Sequence, residues 1–221
     1  MGSWIDLTAE DGHRLAAYHA PAQGRRRGGL VVLQEIFGVN AHMRDVADGF
    51  AAEGYEAIVP SVFDRAERAV DLGYGDADVA KGRDLRTRFP WDLTVLDMKS
   101  AAGRLARAGR VGAVGYCWGG SLAWLCATRV GVHAAVGYYG GQIVPYMRER
   151  PRCPVMLHFG EKDSGIPLSD VEAIRKAQPD VAIHLYPAGH GFNVPERSAH
   201  DAASARLARE RTIDFFRRHV G

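Results

Sequence analysis

The stretch Val111 to Gly120, VGAVGYCWGG, constrains this chain more than any other. Val111, Ala113 and Val114 read as a short buried strand that stops at Gly115, and Ser121 to Val130 reads as a helix. Between them lies G-x-C-x-G-G, with Cys117 at the turn. A strand that reverses into a helix over so few residues holds its central residue in a strained backbone conformation. Its neighbours must be small where strand and helix pass, and Gly115 and Gly119 meet that need. Cys117 is then exposed at the carboxyl end of the strand. The backbone N–H of Trp118 points toward the helix start, where it can help bind an oxyanion. Cysteine is also a common small buried hydrophobe, so the rest of the chain has to decide between nucleophile and core.

With 221 residues, 47% of them hydrophobic and 24% charged, the chain has ordinary globular composition and length for one sizeable core, so residues 1–221 are expected to form one domain. The net charge of +2, from 28 basic and 26 acidic side chains, gives no broad field for nucleic acid or an anionic membrane. Small molecules are the expected partners, and the chain is expected to act as a monomer or homodimer. The cysteines, Cys117, Cys126 and Cys153, are an odd and sparse set without C-x-x-C spacing, which argues against a disulfide framework and a zinc site. No metal or cofactor is expected. The N-terminus lacks a basic segment followed by an apolar one, and no apolar run approaches the ~20 residues of a membrane span. A cytoplasmic protein is expected.

Trp4 to Leu7 and Arg14 to His19 flank the turn signal Glu10-Asp11-Gly12 and predict an antiparallel hairpin at a sheet edge. The basic loop Pro21 to Gly29 follows, and its Arg25-Arg26-Arg27 read as solvated. Leu30 to Leu33 is a branched apolar run suited to a strand buried on both faces. Met43, Val46, Ala47 and Phe50 then recur at helical spacing, and Ala57 to Val59 is the next strand, stopped by Pro60. Ser61 to Gly75 is irregular and predicts a flap over the site. Asp92 to Ala108 reads as a helix leading into the turn strand. After the Cys117 helix come strands at Ala134 to Tyr139, Val155 to Phe159 and Ala182 to Tyr186, a short helix at Asp170 to Ala177, and a final helix starting near Ser198. Strands alternating with helices predict an α/β class chain, a doubly wound, mostly parallel sheet with helices on both faces.

Ligand and catalytic groups of open α/β sheets gather at the carboxyl ends of strands. Cys117, Asp163 and His190 each fall just after a predicted strand, and their order along the chain is nucleophile, acid, base, as in the α/β-hydrolase fold. Imidazole takes the thiol proton, carboxylate fixes the imidazole tautomer, and thiolate attacks a carbonyl. Taken singly, Asp163 in GEKD also suits a turn and His190 a glycine-flanked loop. The remaining histidines, including His158 and His42, are read as packed or solvated, without partners.

Together QEIFGVN at Gln34 to Asn40, GYCWGG at Gly115 to Gly120, GYYG at Gly137 to Gly140, the GEKD loop and AGHGF at Ala188 to Phe192 resemble the dienelactone hydrolase (carboxymethylenebutenolidase) family over nearly the whole chain. The resemblance implies a cofactor-independent hydrolase of an ester or lactone, acting through a thioacyl enzyme. It implies Cys117, Asp163 and His190 as the triad, backbone N–H groups of Ile36 and Trp118 as the oxyanion hole, and Glu35 as a carboxylate that helps generate the thiolate. A carboxylate just after a buried strand needs a partner, and the expected one for Glu35 is the Cys117 thiol or an arginine at position 65 or 68. Trp118, Phe37, Tyr74, Tyr138 and Phe192 are candidates for an apolar substrate wall. The family holds a substrate carboxylate with arginines, and Val194 stands where the arginine after the histidine aligns, with Gly191 in place of a serine. Arg65, Arg68 and Arg83 are candidate replacements upstream. Two alternatives stay open: a broader carboxylesterase or thioesterase of the same fold, and a non-catalytic thiol sensor.

Overall fold

The computed structural model describes residues 2–221. Its strands are β1 (Ser3–Thr8), β2 (Arg14–Ala20), β3 (Gly28–Leu33), β4 (Tyr55–Pro60), β5 (Val111–Tyr116), β6 (Ala134–Tyr138), β7 (Val155–Gly160) and β8 (Ala182–Tyr186). They form one 8-stranded sheet in the order β1-β2-β4-β3-β5-β6-β7-β8. β2 runs antiparallel to both its neighbours, and the other pairings are parallel. The predicted hairpin is therefore the edge of the sheet, and a parallel array carries the rest. Every position of β3 through β7 is buried. Strands so deeply covered need a layer on each face, and their branched apolar sequences fit that.

The helices α1 (Ala41–Ala52), α2 (Asp76–Thr87), α3 (Trp91–Leu105), α4 (Trp118–Leu125), α5 (Leu168–Ala177) and α6 (Ala202–His219) supply those layers. α1 begins where Asn40 accepts a hydrogen bond from the Met43 N–H at 3.1 Å, and it buries Met43, Ala47 and Phe50. α4 is buried at every position and runs into one wider turn, Cys126–Val130, closed by Gly131 in the left-handed region. One continuous apolar cluster extends from Leu7 on β1 to Val220 after α6.

Three expectations change. The last helix starts at Ala202 rather than near Ser198, because Asp201 accepts from the Ser204 N–H at 2.8 Å while residues 191–200 form successive tight turns. Tyr139 lies just past β6, its backbone at φ 39. A helix, α2, follows the irregular segment 61–75, although its sequence is strongly polar and only Gly82 and Leu85 are buried.

Candidate active site

Between β5 and α4 the chain turns at Cys117 with φ 54 and ψ −115. A non-glycine residue in that region is strained, and surrounding contacts hold it: the Cys117 N–H donates to the Tyr138 carbonyl at 3.0 Å. Space decides the flanks. A Cβ at Gly115 would stand 1.9 Å from the Gly119 oxygen, and one at Gly119 2.2 Å from the Leu33 oxygen. Only glycine lets strand and helix pass so closely.

The Cys117 sulfur lies 3.1 Å from His190 Nε2, and His190 Nδ1 lies 2.7 Å from Asp163 Oδ2. Asp163 Oδ1 also accepts the Gly165 N–H at 2.8 Å. The three side chains follow β5, β7 and β8, so the parallel array brings them to one end of the sheet. Burial alone would lower the imidazole's proton affinity. The charge of Cys117 and the hydrogen bonds that the ring donates to Asp163 and Cys117 outweigh it and hold His190 at about 10. A proton on His190 therefore faces sulfur on one side and carboxylate on the other. These groups open onto a cavity of about 490 Å³ that Ile36, Phe37, Tyr139 and Gln142 also line. No cluster of His, Cys, Asp and Glu suited to a metal occurs among the described residues.

The sequence pattern of the Dienelactone hydrolase family matches residues 15–220. The chain belongs to the dienelactone hydrolase family. Carboxymethylenebutenolidases of Pseudomonas putida and Pseudomonas knackmussii are each 34% identical to it over 223 residues, covering 96% of this chain and 94% of theirs. A Klebsiella pneumoniae crystal structure, provisionally named a dienelactone hydrolase, superposes with a TM-score of 0.83 at 29% identity, over 97% of this chain and 98% of that one. As a family member the chain is a carboxylic ester hydrolase of the dienelactone hydrolase type. No helix among the described residues is long and apolar enough to cross a membrane.

Within the family framework, Glu35 is 1% exposed and neither carboxylate oxygen has a hydrogen-bond partner among the described residues. Its nearest cation is neither Arg65 nor Arg68 but Arg197, whose Nη1 lies 3.9 Å from Oε1. Burial raises the Glu35 carboxyl to about 7, against the attraction of Arg197 and His190. The Cys117 thiol, the other expected partner, is engaged by His190.

Several candidate wall residues fall elsewhere. Arg65 is locked into Asp97 at 2.7 and 2.8 Å and Asp11 at 2.8 Å, away from the cavity. Arg68 reaches the Arg14 carbonyl instead. Tyr138 faces the opposite layer, where its hydroxyl meets Thr212 Oγ1 at 2.7 Å, because alternate residues of a strand point to opposite faces. Phe192 is fully buried against Tyr139 and Tyr186 and supports the His190 loop from beneath. The Trp118 indole stacks on Phe63 in the core, leaving its backbone N–H at the start of α4. His158, expected to lack partners, is held by the Tyr186 hydroxyl at 2.8 Å and Thr212 Oγ1 at 3.1 Å.

Phe37 and Arg83 do line the cavity, and Tyr74 packs edge-on against Phe37 at 4.7 Å. The cavity's other contributors came without a sequence expectation. Tyr139 rests its ring 5.1 Å from His190, and its buried hydroxyl has no hydrogen-bond partner among the described residues. Arg86 and Val79 come from α2, and the segment expected to be the flap contributes Tyr74 only indirectly. Val194 is fully buried, and Arg197, three positions later, lines the cavity. Its signal was in the sequence, one turn beyond the aligned position.

Proposed function

We propose that this hydrolase cleaves its ester or lactone through a thioacyl intermediate on Cys117, with His190 as acid and base and Asp163 as its orienter. The observation that carries the reading is the continuous relay, 3.1 Å from sulfur to Nε2 and 2.7 Å from Nδ1 to carboxylate. The thiolate attacks the acyl carbon, and the resulting oxyanion is held by the backbone N–H groups of Ile36 and Trp118. As the C–O bond breaks, the His190 proton passes to the leaving alkoxide. A water then gives one proton to His190 and attacks the thioester, which expels the thiolate facing an imidazolium and leaves a carboxylic acid that departs as carboxylate after losing its proton to solvent.

Glu35 controls access to that thiolate. Arg197 is the largest attraction that keeps its carboxylate ionised. A substrate carboxylate that engages Arg197 weakens this attraction, so Glu35 binds a proton more readily just when substrate is present. Where the sulfur is still a thiol beside the His190 imidazolium, a carboxyl held near 7 is suited to accept its proton at neutral pH and leave the reactive thiolate–imidazolium pair. Phe37 and Tyr74 lie beneath the Arg197 guanidinium, each ring 5.9 Å from it, and orient it.

The decisive test joins chemistry to trapping. Cys117→Ala should abolish turnover of carboxylated esters and lactones, and a slow substrate should leave its acyl mass on the Cys117 peptide of the parent enzyme. Parent-rate hydrolysis by Cys117→Ala would refute the mechanism. Comparing matched esters with and without a free carboxylate separates this reading from that of a broad carboxylesterase, which the position of Arg197 disfavours.

A further inference from the structure

The mouth of the cavity carries more positive charge than one substrate carboxylate uses. α2 is docked so tightly on the loop after β3 that a Cβ at Gly82 would stand 2.0 Å from the Ile36 carbonyl oxygen. That contact fixes the next residues in place. Arg83 and Arg86, three positions apart and so neighbours on one helix face, both line the cavity. Among the described residues neither has an ion-pair partner, although the other basic side chains of the segment do: Lys81 pairs with Glu67 at 2.6 Å and Arg88 with Asp84 at 2.5 Å. Two like charges at this spacing repel each other. The carboxylate that also lines the cavity, Asp163, is already occupied by His190 and the Gly165 N–H. Arg197 lies deeper, its side chain 25% exposed, between Glu35 and the Phe37 and Tyr74 rings.

We infer that the natural substrate carries two carboxylates, an inner one on Arg197 and an outer one shared by Arg83 and Arg86. The inference rests on the proposed function for the inner carboxylate and adds the outer one. An anion between Arg83 and Arg86 relieves their repulsion and forms charge-assisted hydrogen bonds that planar guanidiniums make well with carboxylates. α2 thereby selects by charge at a distance from the scissile bond, and Ile36 links that helix to the oxyanion loop.

The test uses binding, so that it does not depend on the catalytic assignment. Succinate, glutarate, adipate and pimelate are titrated calorimetrically against the parent and the Cys117→Ala protein, each beside the monocarboxylate of equal chain length. At least one dicarboxylate should bind about tenfold or more tightly than its monocarboxylate partner. That ratio should collapse toward one in Arg83→Gln/Arg86→Gln, and also on raising salt from about 0.05 to 0.5 M. Arg88→Gln, which removes a charge already paired on the outer face, should keep the ratio. A parent ratio below twofold for every chain length, or a ratio that survives the double substitution, overturns the inference. If instead Cys117→Ala retains hydrolysis while the ratio behaves as expected, the mechanism fails and the dicarboxylate site stands.

Discussion

Arg197 Nη1 lies 3.9 Å from Glu35 Oε1, too far for a hydrogen bond and near enough to bias the carboxylate's charge. A fully engaged ion pair at this position would fix Glu35 as an anion. The looser contact leaves a buried acid whose protonation answers to whatever else binds the guanidinium.

That arrangement makes stability depend on pH. The Glu35 carboxyl goes from 4.5 as an ordinary side chain to about 7 in the folded state. The folded protein therefore binds more protons than the unfolded chain between those values, and stability falls as pH rises through that window. Above it, the buried carboxylate costs at most about 3 kcal/mol. Glu35→Gln should accordingly raise the melting temperature at pH 8 more than at pH 5, while lowering kcat/KM. Equal shifts at both pH values would show that Glu35 is not the titrating group.

In the proposed mechanism Asp163 orients rather than reacts. Asp163→Asn keeps the shape but permits the wrong imidazole tautomer, and kcat should fall by roughly 10²- to 10⁴-fold. Unchanged circular dichroism and unchanged affinity for a carboxylate inhibitor would localise the loss to proton transfer.

Gly82→Ala tests the coupling between α2 and the oxyanion loop. Its new methyl meets the Ile36 carbonyl oxygen at 2.0 Å, so helix or loop must move. We expect a loss of about 1–3 kcal/mol in urea unfolding together with a fall in kcat. Alanine at Gly103, where nothing lies within 4 Å of the added Cβ, is the matched control.

Thr212 joins the last helix to the sheet. Its hydroxyl meets both Tyr138 and His158, and burial holds His158 well below its usual range, hence neutral. Thr212→Val leaves those buried groups short of a partner and should cost roughly 1–3 kcal/mol, read from the urea midpoint. Cys117 alkylation by iodoacetamide should keep the parent rate, because this network faces the layer opposite the cavity.

Much of the fold was legible because it is local or periodic. Buried strands declare themselves by continuous apolar runs, and the edge hairpin by its turn. α2 was not legible, since a polar helix resting on a loop buries too little to impose an apolar period. The final helix was displaced because two capping candidates, Ser198 and Asp201, stand close together, and the turns before Asp201 chose between them.

The site divides in the same way. The sequence by itself marked Cys117, Asp163 and His190 as candidates that meet, because a strained turn needs its glycines and a parallel sheet sends residues after its strands to one end. Tertiary structure alone decided what surrounds them. Strand alternation turned Tyr138 away, and the buried Asp97, with the exposed Asp11, claimed Arg65. The docking of α2 brought Arg83 and Arg86 to the cavity, and the turns after His190 delivered Arg197 to Glu35. Local sterics can be read along one chain, whereas the partner of a charge depends on which distant segments share its few ångströms of space.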